Sequence, residues 1–323
     1  MGFIMKYIDL HCDTLMKCYL DGISLRENDA QIDLARLEGA GAMAQCMAVF
    51  VPTDDIAREY GVELSPGDYF DACAEVYRRE LEVNADLVRP ALCVQDIIDN
   101  GNSGRVSTIL TLENGVVVDG KLERLDELFE IGVRLVTLTW NYENCFGFPQ
   151  SDDAEAMKLG LKPFGIEAVW YMNELGVVVD VSHLSEGGFD DVARYSVKPF
   201  AASHSCSRAL CDVGRNLTDR QLKALGDRGG VCGVNFAPMF LEKGSAISKT
   251  DAIVRHIRHI ADHAGTEAVA LGSDFDGFPG EVELGGCSGM PLLVDALRKE
   301  FHECEVEKIC YGNALRLFSD VFV

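Results

Sequence analysis

The sequence predicts an α/β fold, a (β/α)8 barrel of the TIM type, on three observations. Eight short apolar runs alternate with helical patterns along the chain. No linker or composition break divides the 323 residues, so positions 1–323 read as a single (β/α)8 domain. Side chains of metal-ligating type stand where the first, third, fifth, sixth and eighth runs end, and in such barrels that rim gathers residues from distant sequence positions. A doubly wound open sheet would also alternate strands and helices. Its glycine-rich nucleotide turn after the first strand is missing, and His11-Cys12-Asp13 stands there instead.

The first run, Tyr7-Ile8-Asp9-Leu10, leads into His11-Cys12-Asp13. Two-residue spacing puts His11 and Asp13 on one face of a strand, with Cys12 on the other face and read as a packed small apolar residue. Imidazole and carboxylate both ligate borderline divalent ions, although a lone His-x-Asp is equally a solvated strand end. Residues 32–38 read as a short amphipathic helix, and 44–51 as a mostly apolar second strand closed by Pro52. Residues 69–84 show helical spacing among charges, after a turn-and-cap cluster, Ser65-Pro66-Gly67-Asp68. The third strand, 107–112, ends at Glu113-Asn114-Gly115, and 122–131 follows as a helix. The fourth strand, 134–139, runs into Trp140-Asn141-Tyr142-Glu143-Asn144, a segment rich in groups that stack or hydrogen-bond.

After a glycine-containing loop, a helix over 163–175 precedes the fifth strand, 177–182, which delivers His183. Residues 189–194 are helical, and the sixth strand, 199–203, delivers His204. Thr218 caps a helix running to Leu225, ahead of the seventh strand at 230–236. A helix over 251–263 then leads to the eighth strand, 268–273, which delivers Asp274.

Fifty-two acidic residues against 29 basic ones give a formal net charge of -23. That balance opposes binding to nucleic-acid phosphates and to anionic membrane surfaces. Twelve cysteines scattered without a CxxC pair read as reduced thiols, with Cys206 and Cys211 taken as buried or half-buried. The opening Met1-Gly2-Phe3-Ile4-Met5-Lys6 lacks a leader pattern, and Lys6 stands where a myristoylation signal has Ser or Thr. No run approaches transmembrane length, so a cytoplasmic location is expected.

His11, Asp13, Glu113, His183 and His204 together suit two metal ions if Glu113 bridges them. One ion takes His11, Asp13 and Glu113, and the other Glu113, His183 and His204. A metal-bridging hydroxide would then be the nucleophile, without any serine or cysteine. Asp274 is the candidate to handle the proton, preferred over Asp276 because it comes first after the apolar run. His256, His259 and His263 share one helix at spacing that could bind metal. Ile253, Val254, Ile257, Ile260 and Ala261 define that helix's apolar face, which puts the three histidines on the solvated side. His302 has no partner pattern and reads as exposed. Arg215 either clamps a substrate carboxylate or is a surface or helix-capping arginine.

The ordered set Asp9-Leu10-His11-Cys12-Asp13-Thr14-Leu15, Glu113-Asn114-Gly115, Asp180-Val181-Ser182-His183-Leu184-Ser185, Ala202-Ser203-His204-Ser205, Arg215-Asn216-Leu217-Thr218-Asp219, Gly272-Ser273-Asp274-Phe275-Asp276-Gly277 and Gly312-Asn313-Ala314-Leu315-Arg316 resembles the membrane dipeptidase family. The resemblance implies a metal-dependent hydrolase barrel holding two Zn2+ ions on His11, Asp13, Glu113, His183 and His204. It further implies that Asp274 handles the proton and that Arg215 holds the substrate's C-terminal carboxylate. The implied substrates are dipeptides, often with a D-residue at the C-terminal position, and homologues commonly form homodimers.

Two departures stand out. Where the mammalian enzymes have a substrate-contacting histidine after Leu-Thr-Leu-Thr, this chain has Trp140 followed by Asn141, and Ala237 stands where a tyrosine is common. Trp140 carries no charge, so any stabilisation the histidine gives comes from Asn141, comes from the metal or is absent, and a change in substrate preference or rate is expected. Two other readings share the same residues: a binuclear amidohydrolase acting on lactones or N-acyl amino acids, and a catalytically silent metal-binding barrel.

Overall fold

The computed structural model describes residues 4–322; Met1–Phe3 of the segment read for targeting signals, and the final Val323, lie outside it. Eight parallel strands close a ring: β1 (Tyr7–Asp9), β2 (Ala42–Phe50), β3 (Val106–Glu113), β4 (Val133–Thr137), β5 (Val178–Asp180), β6 (Ala201–Ser205), β7 (Val231–Val234) and β8 (Val269–Leu271). Consecutive strands are neighbours throughout, from Phe50 opposite Glu113 and Glu113 opposite Thr137 to Val234 opposite Leu271. The seam closes where Leu271 of β8 pairs with Asp9 of β1. A three-residue strand, Val88–Pro90, runs outside the ring along Val106–Thr108. Proline and a charged residue in a short segment gave it no apolar signature.

The two faces of the strands bury different cores. Ile8, Cys46, Ile109, Leu135, Val178, Ala201, Val231 and Ala270 form one cluster with Ala314, Leu317 and Phe318 from the last helix, Asn313–Val321. Met47, Leu110, Val136, Val179, Cys232 and Leu271 belong to the other, packed with the surrounding helices. Near-continuous apolarity along the strands follows from burial on both faces. The helix Pro66–Val83 starts where Ser65 accepts a hydrogen bond from the Asp68 N–H, and Thr218 with Gln221 forms a reciprocal cap on the helix Asp219–Asp227.

Two boundaries move. Regular pairing in β1 ends at Asp9, so His11 and Asp13 lie beyond the strand, in a segment tied down by the Cys12–Phe275 bridge. Cys12 is fully buried against Met47, as a small apolar residue would be. Strand β6 runs to Ser205, so His204 lies within it rather than after it. The eighth-strand loop passes Gly277 and Phe278 before Glu281–Val282, which pair with Ile247–Ser248 in a small two-stranded sheet. No helix among the described residues is long and apolar enough to cross a membrane.

Candidate metal centre

The C-terminal ends of the strands bring six of the sequence-predicted side chains into one cluster. Glu113, the last residue of β3, lies at its centre. Its Oε2 is 3.5 Å from His11 Nε2, and its Oε1 is 3.0 Å from His183 Nε2 and 3.3 Å from His204 Nε2. Asp13 Oδ2 and Asp274 Oδ1 approach His11 Nε2 at 3.4 and 3.8 Å. The His11 and His204 rings stack 3.7 Å apart, and the Nε2 atoms of His183 and His204 are 3.1 Å apart.

Such a cluster of lone pairs and carboxylates is unfavourable unless positive charge sits within it. Both ring nitrogens of His11 and Oδ1 of Asp13 are buried without a hydrogen-bond partner. Burial opposes protonation of His11, but the Glu113 and Asp13 carboxylates outweigh it and hold its pKa well above the ordinary value. Burial, then the Glu113 charge, pushes Asp13 up to about 6. His183 is pushed down to about 4 by burial and by the Arg215 charge, and burial drives His204 well down too. Both shifts favour the neutral imidazole, the form that binds metal. The donor set of imidazoles and carboxylates fits divalent ions, and the triads His11–Asp13–Glu113 and Glu113–His183–His204 each converge closely enough for one ion.

Neighbouring side chains fix the rings. Asn141 Oδ1 only accepts, so His183 Nδ1–H donates to it at 3.1 Å and Nε2 keeps its lone pair. Ser203 Oγ donates to Asp180 Oδ2 at 2.5 Å and accepts from His204 Nδ1–H at 2.7 Å, a carboxylate–hydroxyl–imidazole chain that sets the tautomer of His204. Across the barrel seam Asp9 accepts from the N–H and the hydroxyl of Ser273 at 2.8 and 2.6 Å, a carboxylate–hydroxyl pair that reaches the His11 backbone carbonyl rather than an imidazole. Sequence reasoning missed Asp180 and Ser203, although both stand in the motifs that deliver His183 and His204.

Backbone geometry is specialised here. His183 and Asp274 adopt left-handed φ values of 65° and 62°, a conformation that costs non-glycine residues about 1–3 kcal/mol each and persists where the surroundings enforce it. A Cβ on Gly277 would run into the carboxylates of Asp13 and Asp274, so only glycine lets the loop cross there. Asp276 faces elsewhere: its carboxylate accepts from Thr14 Oγ1 at 2.6 Å and from the Gln31 N–H at 2.9 Å. Asp274 is held by Asn235 Nδ2, which donates to its Oδ2 at 2.8 Å. Burial and the neighbouring Asp13 and Glu113 raise its pKa well above the carboxylate range, against the pull of His11.

A cavity of about 190 Å3 opens over the cluster, reaching Asp13, Glu113, His183 and Asp274 between walls of Phe50, Tyr60, Trp140, Phe240 and Phe278. Trp140 packs 4.9 Å from Phe50 and 6.0 Å from the His183 ring, and so forms part of the wall. Arg215 does not line this cavity. It is 5% exposed, and its Nη1 and Nη2 donate to Ser205 Oγ at 2.8 Å and to the His204 carbonyl at 2.7 Å. The pocket-wall Phe240 ring lies 5.6 Å from its guanidinium carbon. A larger groove of about 830 Å3, between the helices Pro66–Val83 and Leu122–Ile131, holds none of the predicted site residues.

One histidine is corrected. His256 is buried, not solvated: its Nδ1 accepts from the Ser207 N–H at 3.0 Å and its Nε2–H donates to the Leu241 carbonyl at 3.0 Å. With both nitrogens satisfied, imidazole is tolerated beside Ile253, Ile257 and Ile260. His302 is exposed, as expected, and Cys206 and Cys211 are buried.

A closed (β/α)8 barrel whose strand ends gather three histidines around a shared carboxylate defines a metal-dependent hydrolase. The chain belongs to the membrane dipeptidase family, peptidase family M19, whose sequence model matches residues 4–322. A Klebsiella pneumoniae relative, the uncharacterized protein in the pqqA 5' region, is 35% identical over 270 residues, covering 80% of this chain and 98% of the relative. An uncharacterized dipeptidase of Schizosaccharomyces pombe is 36% identical over 266 residues, covering 77% of this chain and 64% of its own. Among solved structures, dipeptidase AC, a metallopeptidase of family M19, superposes with a TM-score of 0.88 at 27% identity over 99% of both chains. A Rhodobacter sphaeroides metallopeptidase liganded with a phosphinate mimic of L-Ala-D-Ala gives 0.89 at 26% identity, over 99% of this chain and 100% of that one.

Proposed function

We propose that the chain, acting as one catalytic domain, hydrolyses dipeptides, including those with a D-residue at the C-terminal position, on a centre of two divalent ions of the zinc type. One observation carries the two-ion reading: the two oxygens of Glu113 face different ligand sets, Oε2 toward His11 and Oε1 toward His183 and His204. The L-Ala-D-Ala mimic bound by the Rhodobacter sphaeroides enzyme supports the stereochemistry. When bound, such ions lower the pKa of water from 15.7 to about 7 and polarise a carbonyl oxygen.

The chain's own residues do the rest. Asp274 Oδ1 faces the cluster while Asn235 holds Oδ2, which suits Asp274 to take a proton from water and return it to the leaving nitrogen. Phe50, Trp140, Phe240 and Phe278 exclude bulk water and favour apolar side chains. A cavity of about 190 Å3 suits a small substrate, being below the roughly 300–1,000 Å3 of drug-sized sites. Asn141 acts on His183 through the Nδ1 hydrogen bond. Arg215 supplies buried positive charge behind Phe240, on the side where we place the substrate carboxylate. Twelve cysteines, all free thiols, support a reducing, cytoplasmic setting.

The test is hydrolysis of L-Ala-D-Ala by wild type and by Glu113→Gln. The variant should lose metal and turnover together, because the shared ligand loses its charge; a variant that keeps both would overturn the reading.

A further inference from the structure

We propose a second metal site on the outer wall of the barrel, formed by Asp219, His259 and His263 and taking one borderline divalent ion of the zinc class. It shares no residue with the centre described above. His259 and His263 are four residues apart on the helix Thr250–Ala264, hence on one face, and their rings stack 4.0 Å apart at 20°. Asp219 opens the neighbouring helix Asp219–Asp227. Its Oδ1 is 2.7 Å from His259 Nε2, and its Oδ2 is 3.5 Å from His263 Nε2. The three ligand atoms lie within 4.8 Å of one another, so side-chain adjustments of a few tenths of an ångström would bring each to the about 2.0–2.2 Å that one ion needs.

The hydrogen bonding points to a cation. His263 Nδ1 is 2.8 Å from the His259 carbonyl, which only accepts, so the ring proton is on Nδ1. In the neutral ring, Nε2 then turns a lone pair toward Asp219 Oδ2, and two acceptors face each other. A proton or a metal ion resolves this, and one carboxylate serves two imidazoles. The side chains are 18%, 38% and 44% exposed for His259, His263 and Asp219, which leaves an open coordination position for water. A net charge of -23 raises the local concentration of cations.

The test is equilibrium dialysis of the metal-loaded protein against Zn2+, with ions counted per chain. Wild type should hold one more ion than the double variant His259→Gln/His263→Gln, Asp219→Asn should bind that ion at least tenfold more weakly, and all should hydrolyse dipeptide at the wild-type rate. Equal ion counts in wild type and double variant would mean that the cluster holds protons only, and unchanged affinity in Asp219→Asn would remove the carboxylate from the site. Either result overturns the proposal. On wild type alone, substoichiometric Ni2+ should broaden the imidazole NMR signals of His259 and His263 before those of exposed His302; equal broadening would refute the site without recourse to a variant.

Discussion

Replacing Ser203 by Ala tests how the rim residues are held to their task. Ser203 Oγ sits 2.5 Å from Asp180 Oδ2 and 2.7 Å from His204 Nδ1, so one hydroxyl joins a buried carboxylate to a candidate ligand. The fold should survive, because the Ser203 N–H still donates to Asp180 Oδ1 at 2.8 Å and Thr137 Oγ1 still donates to Oδ2 at 2.6 Å. Losing a hydrogen bond to a charged group costs about 1.5–3 kcal/mol of stability. Residues that orient a metal ligand are typically worth about 10–100-fold in metal affinity or activity, or roughly 1.4–2.7 kcal/mol at the metal. The assay is competition with a chelator, followed by kcat/KM at limiting and saturating metal. Metal affinity should fall by that factor, with much of the activity restored at saturating metal. Affinity within twofold of wild type would refute the idea that Asp180 and Ser203 act through His204.

Gly277→Ala should abolish turnover, because its Cβ collides with the carboxylates of Asp13 and Asp274; full activity would show that the loop has room to shift. Arg215→Met should raise KM for dipeptides more than it lowers kcat, and an unchanged KM would leave Arg215 as a brace for Ser205 and the His204 carbonyl. His256→Leu strands the Ser207 N–H and the Leu241 carbonyl, costing about 1–3 kcal/mol for each buried group, read from denaturant unfolding. His256 also makes a pH prediction. Burial lowers its pKa from 6.5 to about 4, so the unfolded chain binds the proton first. Its contribution to stability is complete above 6.5 and declines as pH falls toward about 4, by up to about 1.4 kcal/mol per pH unit. The variant should show a shallower slope over that window than wild type.

What was legible in the sequence were residue types where strands stop. His11, Glu113, His204 and Asp274 announce themselves because apolar runs end beside them, and the barrel brings strand ends together whatever their separation along the chain. What was not legible depends on register between strands. The link from Asp180 to Ser203 exists because β5 pairs with β6 with Asp180 opposite Ala201, and no local spacing encodes that offset. His256 was misread because helical periodicity assigns imidazole to the polar face, whereas hydrogen bonds from two other segments, at Ser207 and Leu241, let it face inward. The placement of Arg215 behind Phe240 likewise follows from the loop's packing rather than from its motif.

The central claim is that Glu113 joins two ions into one hydrolytic centre. It is tested most directly by stripping the His259→Gln/His263→Gln protein of metal, returning Zn2+ by equivalents and following L-Ala-D-Ala hydrolysis. The account predicts no turnover in the stripped protein and a rise that levels off at the second equivalent. Turnover without metal, or full activity at the first equivalent, would contradict it.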